Sequence, residues 1–133
     1  KSNRGEIVED IAIREESMRQ LLAHMNAMQT AYEKLGALTW IVGGDFNTAP
    51  DDSRLKNEKT TEMLLRAGFH WSWQEVPFAN RITMPGDGRY PPASFDHIFF
   101  RNAALMHAEV LPTLKTSSDH RAVRAQLDLT TSR

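Results

Sequence analysis

At 133 residues the chain has room for one domain, and 16 basic against 17 acidic residues leave a formal charge of −1. That balance supplies no overall basic face for nucleic acid and no polybasic membrane patch. The lack of cysteine excludes disulfides and cysteine-ligated zinc, and no run reaches the roughly 18 apolar residues of a membrane-spanning helix.

The first residue is Lys1, without a methionine. The chain is therefore expected to be a mature or trimmed form, and the lack of a leader says nothing about location. Residues 1–10 are polar, with Gly5 as a breaker, and are expected to be irregular. Ile11 to Leu35 is predicted to be one long helix. Met18, Leu21, Leu22, Met25, Met28, Tyr32 and Leu35 recur at the three-and-four spacing of a buried stripe. Glu15 and Glu16 suit the dipole near its start, and Gly36 suits a left-handed stop. Thr39 to Gly43 is short, β-rich and almost wholly apolar, and is predicted to be a buried central strand.

A polar loop is expected over residues 44–57, carrying Pro50, Asp51 and Asp52. Thr60 to Ala67 is predicted to be a helix capped by Thr60 or Thr61, with Leu64 and Leu65 facing the core and Gly68 ending it. Phe69 to Trp73 and Arg81 to Thr83 are predicted as short strands. The prolines and glycines of residues 84–93 require a loop. Asp96 to Arg101, Ala104 to Leu111 and Ala122 to Leu129 are predicted strands, the first two joined by a turn at Arg101-Asn102. In the last, Val123, Ala125, Leu127 and Leu129 alternate with polar residues, giving one buried face. The predicted class is α+β, with helices packed on one face of a mostly antiparallel sheet and residues 1–133 as a single domain.

Three acidic motifs sit at the ends of predicted strands: Gly43-Gly44-Asp45-Phe46-Asn47, Phe95-Asp96-His97-Ile98-Phe99 and Ser117-Ser118-Asp119-His120. Taken singly, each reads first as local structure. Asp45 and Asn47 fit an Asx-type turn, Asp96 and His97 a strand start, and Asp119 and His120 a polar turn. Taken together they offer more. Asp45 and Asn47 in an extended segment point the same way and can hold a water and a phosphate oxygen. Neighbours on a strand diverge, so only one of Asp96 and His97 looks into a given cleft, and Asp96 is the candidate. Carboxylate oxygens favour hard cations, and an Asp–His pair across strands orients an imidazole. These are the parts of a metal-assisted phosphoryl-transfer site.

On Gly44-Asp45-Phe46-Asn47, Phe95-Asp96-His97-Ile98 and Ser118-Asp119-His120 ahead of Val123, the chain resembles the endonuclease/exonuclease/phosphatase superfamily, whose fold is that of pancreatic deoxyribonuclease. The resemblance implies a Mg2+- or Mn2+-dependent hydrolase of phosphate esters, most simply a phosphodiesterase or nuclease. Asp45 would activate or position the attacking water and contribute to the metal site. Asn47 would bind the scissile phosphate, Asp96 would orient His120, and His120 would contact the phosphate. Asp119 would bind the metal, and His97 would be structural. Relatives hydrolyse nucleic acid, inositol phosphates and sphingomyelin, so the substrate stays open.

The resemblance also implies that this chain is the C-terminal half of a four-layer α/β/β/α sandwich. The metal-binding Glu, an early Asn and a His of the first half are absent, and Glu6, Glu9, Glu15 and Glu16 are poor substitutes. A second copy, or a separate first half, is expected to cover the open sheet face. The alternatives are a catalytically incomplete scaffold and a phosphomonoesterase of the same superfamily. A transition-metal site built from His97, His120, Asp96 and Asp119 is a third reading. Trp71 and Trp73 share a strand face and suit core packing better than base stacking. Arg81, Arg89 and Arg121 could contact phosphates from loops near the site, but each suits solvated surface charge better.

Overall fold

A computed structural model describes residues 4–51, 55, 57–112 and 118–129. The expectations for residues 1–3, for Asp52 and for Ser117 lie outside them. Among the described residues the chain is α+β, with two α-helices and two antiparallel sheets.

Helix α1 spans Arg4–Ala31, so residues 4–10 are helical where an irregular segment was expected. A lone glycine costs a helix only about 1 kcal/mol relative to alanine, too little to stop it at Gly5. Only the middle of the apolar stripe is buried: Met18 and Met25 lie in the core, with Leu21 and Leu22 against it. Beyond Ala31 the chain tightens into a 3-10 turn at Glu33–Leu35, and Tyr32 and Leu35 are exposed instead of continuing the stripe.

Strand β1 is Trp40–Asp45, α2 is Thr60–Arg66, β2 is His70–Trp71, β3 is Asp96–Arg101, β4 is Ala104–Val110 and β5 is Val123–Asp128. The first sheet has the order β1-β3-β2, and the second pairs β4 with β5. Thus β3 is the central strand of this sheet and β1 an edge, where β1 was expected to be central. A short apolar run looks the same at either position, and the pairing of β3 with both neighbours decides it. In β1 the Val42 side faces the core opposite Phe99, whereas Ile41, opposite Phe100, is 55% exposed.

The core joins Met18, Met25, Leu64, Phe69, Trp71, Trp73 and Phe99, with Val42, Phe46, Ala108, Val110 and Val123 packed around it. In α2, Leu64 is fully buried but Leu65 is 38% exposed. Neither threonine caps that helix. Lys59 is its N-cap residue, and the Lys59 N–H donates to Glu15 of α1 at 2.7 Å. Arg14, one residue earlier on α1, adds a two-pronged ion pair with Glu58. Long-range carboxylate and guanidinium groups therefore fasten α1 to α2, a contact invisible to local capping rules.

Residues 81–83 form no strand. Arg81 follows a 3-10 turn at Phe78–Asn80, and an isolated bridge between Met84 and Ala93 closes the expected proline-rich loop. Gly86 is required inside it, with φ +84 and a Cβ position only 2.8 Å from Pro92 N and Tyr90 O. The turn between β3 and β4 lies at Asn102, which has φ +61 and is anchored by its Nδ2 to Leu38 O at 2.7 Å. In β4 the register slips between Leu105 and His107, leaving Met106 as an unpaired, exposed bulge residue.

Candidate active site

The antiparallel register sets Asp45, the last residue of β1, directly opposite Asp96, the first of β3. Directly opposed residues share a face, so two carboxylates stand together at one end of the sheet. The approach to β5 brings in the third motif. His120 Nδ1 lies 2.8 Å from Asp96 Oδ2. Its Nε2 lies 3.8 Å from Asp45 Oδ2 and 3.8 Å from Asp119 Oδ1.

The imidazole is thus held at one nitrogen and flanked by carboxylates at the other. The Asp96 hydrogen bond raises the His120 pKa above its ordinary value, with further help from the charges of Asp96, Asp45 and Asp119 and against partial burial. Asp96 is mostly covered, Asp45 is more open, and the Asp119 side chain is 88% exposed.

Asp45 divides its two oxygens. Oδ2 faces His120, and Oδ1 accepts the Asn47 N–H at 2.9 Å. This is the Asx-type turn that the motif alone suggested. The strand ends at Asp45, and Asn47 takes φ +53, so the expected extended alternation between Asp45 and Asn47 does not hold. Asn47 is exposed. Just before it Gly44 has φ +151, a value that L side chains rarely adopt.

His97 points the other way, as strand alternation requires. It is completely buried. Its Nδ1 lies 3.1 Å from Trp71 Nε1, and its Nε2 lies 2.7 Å from Thr48 O. An indole only donates and a carbonyl only accepts, so Nδ1 is the bare nitrogen and Nε2 carries the proton. Burial pushes the His97 pKa down to about 4. A transition-metal set joining His97 to His120 is overturned by this divergence.

Trp71 and Trp73 are both buried, and Trp73 Nε1 donates to Asp96 O at 3.0 Å. They support the site's strand and do not stack bases. Arg81 corrects an expectation: it is 3% exposed, ion-paired with Asp51 and stacked 4.8 Å over the Trp71 ring. Arg89 is exposed, and the Arg121 N–H donates to Thr83 O. Sequence reasoning missed Thr48 and Asp51, whose roles depend on residues more than 25 positions away.

Ligand atoms of Asp45, Asp96 and His120 lie within 4.8 Å of one another, the one such cluster found among the described residues. Asp96 is already committed to His120, which leaves Asp45 as the more open carboxylate of that cluster. Magnesium keeps several waters and is commonly bound by one or two carboxylates plus substrate phosphate, so this donor set fits a divalent ion.

Two carboxylates and an oriented imidazole thus stand together at one sheet end of an α+β domain. The model of the Endonuclease/Exonuclease/phosphatase family matches residues 22–120, and the chain belongs to that family. Its members are hydrolases of the phosphoesterase and nuclease type, generally dependent on a divalent metal. No curated protein and no solved structure matches the chain.

Proposed function

We propose that this chain carries the catalytic Asp/His end of a divalent-cation-dependent phosphodiesterase of nuclease type. The observation that carries the reading is the Asp96–His120 hydrogen bond of 2.8 Å, with the Asp45 carboxylate 3.8 Å from the free face of the same imidazole. Asp96 holds the proton on Nδ1 and favours the charged ring. Protonated His120 then offers an N–H from Nε2 to a phosphoryl oxygen and stabilises charge that develops there. Asp45 positions the attacking water and accepts its proton. Asn47, exposed and held to Asp45 through its backbone N–H, binds the scissile phosphate. Asp119 and Asp45 would hold magnesium or manganese, which offsets phosphate charge and acidifies bound water.

Substrate class follows less directly. A diester is the first reading, and a monoester is the alternative within the same site chemistry. A second copy or a separate first half over the Ile41 face belongs to the same proposal; the exposure of Ile41 and the edge position of β1 favour it.

The test is hydrolysis of bis(p-nitrophenyl) phosphate and plasmid DNA with Mg2+ or Mn2+, using EDTA, Asp119→Ala and His120→Ala as controls. Loss of His120 is expected to lower turnover by roughly 10²–10⁴-fold, the range of a positioned acid or base. Removing Asp119 should raise the metal concentration needed without unfolding the protein. A folded chain with no metal-dependent turnover sinks the catalytic reading and leaves the incomplete scaffold. Light scattering on the same preparation decides self-pairing, which a monodisperse monomer rules out.

A further inference from the structure

The loop after β1 is fastened on both sides of Asn47. Before it, Phe46 N donates to Phe95 O at 2.8 Å. After it, Thr48 and Ala49 are buried, and Thr48 O takes the His97 Nε2 proton at 2.7 Å. Further on, Asp51 pairs with Arg81. Both later fastenings converge on one indole: Trp71 Nε1 holds His97, and the Trp71 ring lies under the Arg81 guanidinium. Between these points Asn47 keeps a positive φ of 53. Asparagine tolerates that region better than most side chains, as Asn102 does at φ +61, so what holds the turn is the fastening on either side of it.

We propose that His97 is a positioning residue for the site: seated on Trp71, it fixes through Thr48 the left-handed turn that sets Asn47 beside Asp45 for a phosphoryl oxygen. The inference rests on the hydrolase reading for its consequence, but its geometry does not. Trp71 leaves Nε2 as the donor, and that N–H reaches the carbonyl of Thr48, the residue after Asn47. The imidazole thus reads the loop from behind the sheet, on the face opposite to His120. No contact with substrate is needed.

The experiment compares His97→Asn with His97→Gln. An Asn amide sits where Nδ1 was and keeps a partner for Trp71, but it does not reach Thr48. A Gln amide reaches the Nε2 position and can donate to Thr48 O. Two quantities are read: the hydrogen-exchange rate of the Asn47 amide, and kcat/KM in wild-type and Asn47→Ala backgrounds.

His97→Asn is expected to speed exchange and lower kcat/KM, each by roughly tenfold, the scale of one lost hydrogen bond. His97→Gln should restore both. In the Asn47→Ala background His97→Asn should cause no further loss, because the residue it positions is already gone. Unchanged Asn47 exchange, or an equal loss of kcat/KM with and without Asn47, overturns the proposal. A wild-type protein without turnover sinks the hydrolase reading alone, and exchange still decides the positioning. Should His97→Asn fail to fold, Trp71→Phe frees Nδ1 and is expected to raise Asn47 exchange; an unchanged rate overturns the idea.

Discussion

Acidification will unfold this protein partly through His97. Its pKa falls from the ordinary 6.5 to about 4 in the folded chain, because the ring is buried and the charged form is disfavoured there. The unfolded chain therefore binds a proton between pH 6.5 and 4 that the folded chain refuses. The stabilisation is full above pH 6.5 and is lost as pH falls towards 4. A gap of about 2.5 pH units at 1.36 kcal/mol each makes the loss about 3 kcal/mol. Domains are typically stable by only about 5–15 kcal/mol, so this single residue is a large share.

The assay is urea unfolding at several pH values from 7.5 to 4, with His97→Gln as the non-titrating reference. Asp, Glu and His120 titrate in both proteins and cancel in the difference. The wild type should lose about 3 kcal/mol more than the variant across that window. Parallel stability curves, or an imidazole of His97 that titrates near 6.5 by NMR, would refute the reasoning.

His120 carries the opposite sign. Its raised pKa adds stability that is present below about pH 6.5 and lost as pH rises through the folded value. Asp96→Asn removes the main cause and should bring that pKa down, read from the His120 ring protons in an NMR titration; an unmoved titration sinks the assigned coupling. Leu64 is completely buried in the core, so Leu64→Ala should cost about 2–5 kcal/mol in urea unfolding, and a cost below about 1 kcal/mol contradicts the core placement.

Much of the candidate site was legible because its residues sit at strand ends. Apolar strands and glycine breaks locate Asp45 and Asp96 within a few residues, and strand alternation separates Asp96 from His97 without any coordinates. The middle of α1 and the hydrophobic face of β5 were legible for the same reason, a repeat that local geometry imposes. The errors fell where the deciding partner is remote. Glu15, not a threonine, receives the amide at the start of α2. Arg81 looks like a surface charge until Asp51 and Trp71 arrive beside it.

The sequence by itself determined the α+β class, the family resemblance and the three acidic positions, because periodicity and turn chemistry act over a few residues. Tertiary structure alone decided that β3 is central and that Asp45 faces Asp96, and it gave the expected Asp96–His120 pair its 2.8 Å hydrogen bond across 24 positions. It also decided that His97, already set apart from Asp96 by alternation, reaches the loop at Thr48. Register and side-chain pairing between distant segments follow from how the whole core closes, and no local pattern in the chain encodes that closure.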